Sequence, residues 1–456
     1  MMSFYSCLKA SCFKFQKFNS NFIRFYSTPK AKKSPISFAL DHFDQFYGSF
    51  FPNWTSIRLG LLCPHSYCAV VNSFAKNVQP SELFGDMDVY NLKDAYHLGL
   101  AESTLEPTEN NAENVNESNT TKTDPREAKK EAMENQESDF HFDHFNNEFS
   151  TVLENEDKEY MPATKFRNRD LDFEEDYTGF YQPNMNYKAQ LVKHGAIHYP
   201  EHWNIYYCPR GKFKKFPQPL LDSTNLLNYY LMDGASVLPV LALDVQKDEE
   251  VGDLCASPGG KSLAILFGLK FGKLVCNDAS LSRVNKLKIV LNTYLPGTQE
   301  WSKKILVSNL DVVEWNCFEA FDKILLDVPC TNDRLSVTKD ANNIFVQKRY
   351  HERMMIPQLQ TSMLIAALKA LKPGGSLVYS TCSLSPVQND GVVHMALSNL
   401  YSESPFEFII QDLSEAFSPL RKLFQFSDVC KYGQLVVPFL PLNYGPMYIA
   451  KIKRNK

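Results

Sequence analysis

An α/β fold is predicted for this chain: a mostly parallel, seven-stranded sheet with helices on both faces, preceded by an N-terminal extension. Three observations carry that prediction. Short apolar runs and amphipathic segments alternate through the second half of the 456 residues, the pattern of repeated strand-helix units. Two of the runs end in cysteines, Leu326-Asp327-Val328-Pro329-Cys330 and Ser380-Thr381-Cys382-Ser383. A third ends in a glycine turn, Val251-Gly252-Asp253-Leu254-Cys255-Ala256-Ser257-Pro258-Gly259-Gly260-Lys261. In open α/β sheets ligands gather beyond the carboxyl ends of the strands, so all three segments are expected to face one cleft.

Taken in order, Leu226 to Leu243 reads as an amphipathic helix leading into the first strand. The strand candidates are Glu250 to Leu254, Lys273 to Asn277, Lys304 to Val307, Lys323 to Leu326, Ser376 to Ser380, Phe406 to Ile410 and Met447 to Ile452. Helical periodicity fills the intervals at Lys261 to Leu269, Leu281 to Tyr294, Tyr350 to Leu371 and Val387 to Leu400.

Upstream of residue 220 the composition changes several times. No acid precedes Asp41, while Lys9, Lys14, Lys17, Arg24, Lys30, Lys32 and Lys33 stand among serines and phenylalanines. That is transit-peptide composition, so residues 1–33 are read as a mitochondrial targeting segment and the matrix as the destination. Arg24-Phe25-Tyr26-Ser27 resembles an arginine-directed cleavage signal. Residues 34–100, with Phe43, Phe46, Tyr47, Phe50, Phe51 and Trp54, read as an ordered, mostly helical region packed on the main domain. Residues 101–159 are rich in Glu, Asn, Ser and Thr and poor in aliphatic side chains, and read as an acidic, disordered insertion. Residues 160–219 interleave cations with aromatics (Arg167, Arg169, Tyr206, Tyr207, Arg210, Lys212, Lys214, Lys215), a composition that suits single-stranded RNA and equally a solvated loop. Residues 220–456 form the main domain.

The net charge of −4 argues against indiscriminate nucleic-acid binding, although the acidic insertion masks basic surface elsewhere. Eleven cysteines, an odd number with no Cys-x-x-Cys pair, suggest neither a disulfide framework nor a zinc site, and free thiols in a reducing compartment are expected. His194, His198 and His202 have helical spacing, but Gly195 and Pro200 interrupt it and no metal site is expected. No apolar run approaches the roughly 20 residues of a membrane span.

Gly259 and Gly260 allow close approach of backbone to a ligand, and the following helix start offers amides to a carboxylate. Gly260-Lys261-Ser262 mimics the tail of a P-loop, but that motif needs a glycine where Cys255 stands. Asp278 closes the second strand, where a dinucleotide-type fold places an acid against ribose hydroxyls. Asp311, after the third strand, is in position to accept from an adenine amine. Each acid taken alone reads equally as a helix cap.

These segments resemble the three signature motifs of the Nop/Sun RNA cytosine-5 methyltransferases, in the same order and spacing from about Tyr229 to the C-terminus. Lys372-Pro373-Gly374-Gly375 also fits. The mitochondrial ribosomal-RNA branch of that family is similar in Cys330-Thr331-Asn332-Asp333-Arg334, Asn342-Asn343-Ile344-Phe345, Asn443-Tyr444-Gly445-Pro446-Met447-Tyr448 and Ser56-Ile57-Arg58-Leu59. The acidic residues 101–159 depart from its pattern.

The resemblance implies a Rossmann-like class I methyltransferase using S-adenosylmethionine. It implies that Cys382 is the nucleophile toward cytosine C6, that Cys330 assists product release, and that Asp327 binds the N3 and N4 edge of the base. Cofactor contacts carry over to Cys255, Gly259, Gly260, Lys261, Asp278, Arg283, Asp311 and Asp327. A free thiol is only a few per cent ionised near neutral pH, so Cys382 is expected to need a lowered pKa. Ribosomal RNA is the implied substrate and a helical-repeat protein of the mitochondrial termination-factor type the implied partner. Two other readings stand beside this one. Exocyclic-amine methyltransferases carry Asn/Asp-Pro-Pro-aromatic where this chain has Val328-Pro329-Cys330, and a ribosome assembly scaffold would need no catalysis.

Overall fold

A computed structural model describes residues 33–76, 83–85, 87–105, 187–212, 215–315 and 317–455. The expected targeting segment up to residue 32, residues 106–159 of the acidic insertion, and residues 160–186 with Arg167 and Arg169 lie outside the described residues.

The chain opens with α1 (Pro35–Phe50) and α2 (Trp54–Leu62), followed by β1 (Tyr67–Val71), β2 (Tyr90–Asn91) and α3 (Leu92–Leu105). Helix α1 starts where a sequence signal says it should. Ser34 caps it by accepting from the Ser37 amide, and Pro35 occupies the first turn, where its missing N–H costs nothing. After β3 (Leu191–Lys193) and β4 (Ile205–Tyr207), β5 (Tyr229–Asp233) completes a small antiparallel sheet in the order β2-β4-β1-β5.

β5 corrects the helix expected over Leu226 to Leu243. Tyr229 to Asp233 pair antiparallel with Val71 to Tyr67, a 3₁₀ turn follows at Gly234–Val237, and only α4 (Leu238–Leu243) is α-helical. Apolar periodicity cannot tell a buried strand from a buried helix, and here pairing with a segment some 160 residues away decides the matter.

The large sheet then runs through β6 (Glu250–Asp253), α5 (Gly260–Phe267), β7 (Lys273–Asn277), α6 (Leu281–Tyr294), α7 (Gln299–Lys304), β8 (Ile305–Ser308) and β9 (Phe321–Asp327). It continues through α8 (Asp333–Ser336), α9 (Tyr350–Lys369), β10 (Leu371–Thr381), α10 (Val392–Glu403), β11 (Phe408–Asp412), β12 (Phe426–Ser427), β13 (Gln434–Val436) and β14 (Met447–Arg454).

All seven anticipated strands belong to this sheet. Strands β8-β7-β6-β9-β10 are parallel, β14 lies antiparallel beside β10, and β11 pairs antiparallel with β14. Three short strands, β3, β12 and β13, extend it among the described residues. Two boundaries differ from expectation by five residues, the others by less. β10 begins at Leu371, with its register to β9 irregular across Lys372-Pro373-Gly374-Gly375, so α9 ends at Lys369. The helix expected from Val387 is broken at Asn389 (φ −101°, ψ −105°), and regular α-helix starts only at Val392.

Alternation along the strands sends successive side chains to opposite faces. Leu274, Cys276, Leu325 and Val378 point into one core with α4, α5 and α6. Val275, Ile324, Leu326, Leu377 and Tyr379 point into the other with α1, α2, α9 and α10. The N-terminal helices thus complete the second layer of the main domain.

A buried arginine ties that layer down. Arg334 Nε donates to Gly445 O (2.8 Å), Nη1 to Gly60 O (2.8 Å) and Cys63 O (3.0 Å), and Nη2 to Asn443 Oδ1 (3.1 Å). Next to it, Tyr47 Oη of α1 donates to Asp333 Oδ2 at 2.8 Å. Arg334→Ala removes the side-chain donor to Gly60 O, Gly445 O and Asn443 Oδ1 and one of the two donors to Cys63 O, which costs on the order of 3 kcal/mol at about 1 kcal/mol each. Thermal unfolding should show a midpoint several degrees lower; an unchanged midpoint would mean these bonds add nothing.

Residues 187–212 do not all face solvent. Tyr207 is wholly buried, donating to Gly234 O at 2.9 Å, so it is not available to stack on a base. Lys212 is ion-paired with Asp88, and Arg210 lies over the Phe439 ring.

Candidate active site

The chain order β6, β7, β8 runs outward on one side of the sheet, and β9 and β10 continue on the other. The topology therefore switches direction between β6 and β9, where ligands bind in open α/β sheets. Parallel register brings Asp253 beside Leu325 and Asp327 beside Ser380, so three strand ends open onto one place.

Cys330 Sγ lies 3.1 Å from Cys382 Sγ, and both thiols are free. Asp327 Oδ2 accepts from Lys261 Nζ at 2.7 Å and its Oδ1 from Ser380 Oγ at 2.8 Å. The lysine is mostly buried, so its charge acts within the cleft with little screening. Behind the thiols, Thr331 Oγ1 donates to Asp333 Oδ1 (2.5 Å), Ser383 Oγ and the Leu384 amide donate to Asp333, and the Thr331 amide donates to Gln388 Oε1. This buried network locks the loop after β9 to the loop after β10, and hence one cysteine to the other.

The Cys382 thiol does not show the lowered pKa expected of it. Its hydrogen bond with Cys330, burial, and the negative charges of Cys330 and Asp327 push it well above the usual thiol value, and Lys261 opposes them. In the free protein, then, Cys382 is a neutral thiol at pH 7, and its thiolate fraction grows as pH rises. Alkylation of Cys382 by iodoacetamide, followed by peptide mass spectrometry without RNA, should accelerate about tenfold per unit from pH 6 to 8. A rate already level at pH 7 would contradict that environment.

On the other side of the cleft, Gly259 adopts φ +118°, a conformation that glycine takes freely. A Cβ on Gly260 would come within 2.9 Å of the Tyr230 ring on β5. Arg283 Nε pairs with Asp278 Oδ2 at 3.0 Å and its Nη2 donates to Ser257 O at 2.7 Å, so both residues brace the glycine turn. Tyr230, Leu231, Met232, Cys255, Lys261 and Asp327 line a cleft of about 170 Å³ together with the turn.

Asp253, almost wholly buried in that lining, accepts from Ser262 Oγ at 2.6 Å with Oδ2, while Oδ1 has no hydrogen-bond partner among the described residues. Burial raises its carboxyl to about 7. Four expected cofactor residues, Gly259, Asp278, Arg283 and Asp311, are absent from that lining; the first three form or brace the glycine turn, and Asp311 does neither. It is exposed, does not line the cleft, and accepts from the Val313 amide at 2.9 Å, as a turn-capping acid does.

Sequence reasoning gave no role to Ser380, Asp253, Tyr230, Thr331 or Asp333. Ser380 and Asp253 stand inside motifs already singled out, so strand-end position was their available signal. Tyr230 was hidden by the mistaken helix. Among the described residues, no three His, Cys, Asp or Glu side chains converge as a metal site, and no helix is long and apolar enough to cross a membrane.

A parallel α/β sheet with a glycine turn and acids at its switch point is the architecture that class I, S-adenosylmethionine-dependent methyltransferases share with other nucleotide-binding folds, and the family match assigns this chain to the methyltransferases. Residues 240–452 match the family described as 16S rRNA methyltransferase RsmB/F. The 5-cytosine rRNA methyltransferase nsun-4 of Caenorhabditis elegans is 35% identical, aligned over 98% of this chain and 99% of its own length. The 5-cytosine rRNA methyltransferase NSUN4 of Xenopus tropicalis is 34% identical over 97% and 96%. A mitochondrial tRNA (cytosine(34)-C(5))-methyltransferase of Mus musculus is 38% identical over 58% of this chain and 74% of the relative. The chain belongs to the RsmB/F, or Nop/Sun, family of RNA cytosine-5 methyltransferases.

S-adenosylmethionine is the methyl donor of that family, and the cleft fits it: a bare backbone turn for close approach and a buried carboxylate oxygen in need of a donor.

Proposed function

We propose that this protein transfers a methyl group to C5 of a cytosine in mitochondrial small-subunit ribosomal RNA, with Cys382 as the nucleophile and Cys330 as the residue that assists release. The observation that carries the chemistry is the pair of sulfurs 3.1 Å apart, beside an aspartate held by a lysine and a serine. Cytosine C5 is a weak nucleophile. When Cys382, its S–H proton first released to solvent, bonds to C6 as the thiolate, the C5–C6 π pair moves onto C5 and into the ring, and Asp327 and Lys261 would meet the N3 and N4 edge of the base, over which that charge spreads.

S-adenosylmethionine, when held in the glycine-turn cleft, would supply the methyl group as an electrophile and depart as S-adenosylhomocysteine. Residues holding it would be Cys255, Gly259, Gly260, Lys261 and Asp327 directly, with Asp278 and Arg283 at the turn; Asp311 would meet the adenine only if its loop moved. Removal of the C5 proton then re-forms the C5–C6 double bond as the C6–S pair returns to sulfur. Cys330 is the near group suited to accept that proton. The raised pKa of Cys382 bears on the first half, because the thiol must lose its proton before it attacks C6.

The ribosomal substrate is supported by the names of the full-length relatives, and mitochondrial localisation, in the matrix, by the acid-free basic composition of residues 1–33 and by the mitochondrial tRNA relative. Within residues 160–219, Arg210 and Lys215 remain exposed for RNA, and a helical-repeat partner of the termination-factor type would supply further RNA contact. Bisulfite sequencing of mitochondrial ribosomal RNA, with and without the gene, should reveal one small-subunit cytosine that loses its methyl group. An unchanged pattern there would overturn the substrate assignment.

A further inference from the structure

A second, larger concavity of about 350 Å³ is separate from the cofactor cleft and has Cys330 in its lining. Its volume lies within the range of about 300–1,000 Å³ typical of ligand pockets. Leu335 on α8 and Met355 and Leu359 on α9 line it and are 41%, 40% and 44% exposed. Single exposed aliphatic side chains need no explanation, but three lining one hollow next to a reactive thiol do. Met355 and Leu359 are four residues apart on one helix and so present a common face. The rim carries the exposed Lys339 and Asn342 and the Arg349–Glu352 ion pair, so Lys339 is its cation without a carboxylate partner among the described residues.

We infer that this groove takes the base of the nucleotide adjacent to the target cytosine, with Lys339 against its phosphate and Asn342 at its edge. The inference rests on the proposed attack of Cys382 on an RNA cytosine. Its physical argument is continuity. A cytosine seated at Cys382 and Cys330 has covalently attached neighbours, and the groove opens at the same sulfur. Single-stranded RNA is read with its bases unstacked, and an unstacked base needs an apolar surface to replace its lost neighbours. A flat apolar floor beneath a polar, cationic rim meets both halves of a nucleotide. The groove would then select sequence context around the methylated position, a task the cofactor cleft cannot perform.

The test uses the full-length protein and RNA oligonucleotides spanning the methylated cytosine, with that cytosine replaced by 5-fluorocytidine, whose fluorine cannot leave as a proton does. Covalent adduct formation by the wild-type protein checks the underlying reading; its absence would sink that reading, and the groove assignment with it. Given an adduct, equilibrium binding is compared for the parent RNA and for RNAs abasic at the preceding or the following position. One abasic RNA should bind the wild type about tenfold more weakly, the effect of losing one modest apolar contact. The variant Met355→Ala/Leu359→Ala should bind the parent RNA about tenfold more weakly and show no further loss with that abasic RNA. The proposal is overturned if neither abasic RNA binds the wild type more weakly, if the variant's loss is the same for every RNA, or if the variant binds the parent RNA normally, as it would were the groove a protein-docking site.

Discussion

Cys330→Ala protein should accumulate a covalent complex with RNA that survives denaturing electrophoresis. The two sulfurs are 3.1 Å apart, with Cys382 directly after β10 and Cys330 three residues after the end of β9. Removing Cys330 therefore leaves the attacking thiol and its base-binding partners in place. On the proposed mechanism it deletes the group that assists release, and general acid-base groups contribute about 10²–10⁴-fold to the steps they serve. Turnover should fall by that factor while the first methyl transfer is less affected, so adduct builds up. Loss of the hydrogen bond that the Cys382 thiol donates to Cys330 also removes the largest influence raising the Cys382 pKa, which should speed attack. Normal turnover with no gel-shifted band would remove Cys330 from the reaction.

Cys382→Ala should have the largest effect of all. Without the sulfur no bond to C6 forms, C5 stays a poor nucleophile, and methylation should fall on the order of 10⁶-fold, the scale seen when another enzyme loses its covalent nucleophile. No adduct should form, either in the single variant or in Cys330→Ala/Cys382→Ala. Cofactor binding should persist, because Cys382 does not line the cofactor cleft. Residual methylation within tenfold of wild type would overturn the mechanism. In cells lacking the protein, the same variant separates catalysis from an additional role in ribosome assembly: restored ribosomes without the methyl mark would establish a scaffold role.

Much of the architecture was legible in the sequence because parallel strands buried on both faces read as apolar runs, and the helices between them carry their own periodicity. The helix Leu281 to Tyr294 was read correctly at both ends. The glycine turn and both cysteines were found because strand-end position is a local property. The same reasoning failed at Tyr229 to Asp233, where five apolar and aromatic residues suit either state and only their partner, β1, selects the strand. That error also concealed Tyr230, whose ring sets the space above Gly260.

What the sequence alone determined is which residues stand at the ends of the strands: an acid and a glycine turn after β6, an acid and a cysteine after β9, a cysteine after β10. Only the tertiary structure decided how they act on one another. Asp311, readable as a cofactor residue from its strand-end position, is turned out to solvent to cap its own loop. Cys382, for which a lowered pKa was anticipated from chemistry, has a raised one because its hydrogen-bond partner is a thiol 52 residues earlier in the chain. Burial, pairing and charge are sums over everything that surrounds an atom. Most of what surrounds these atoms is distant in sequence and close only once the sheet has formed.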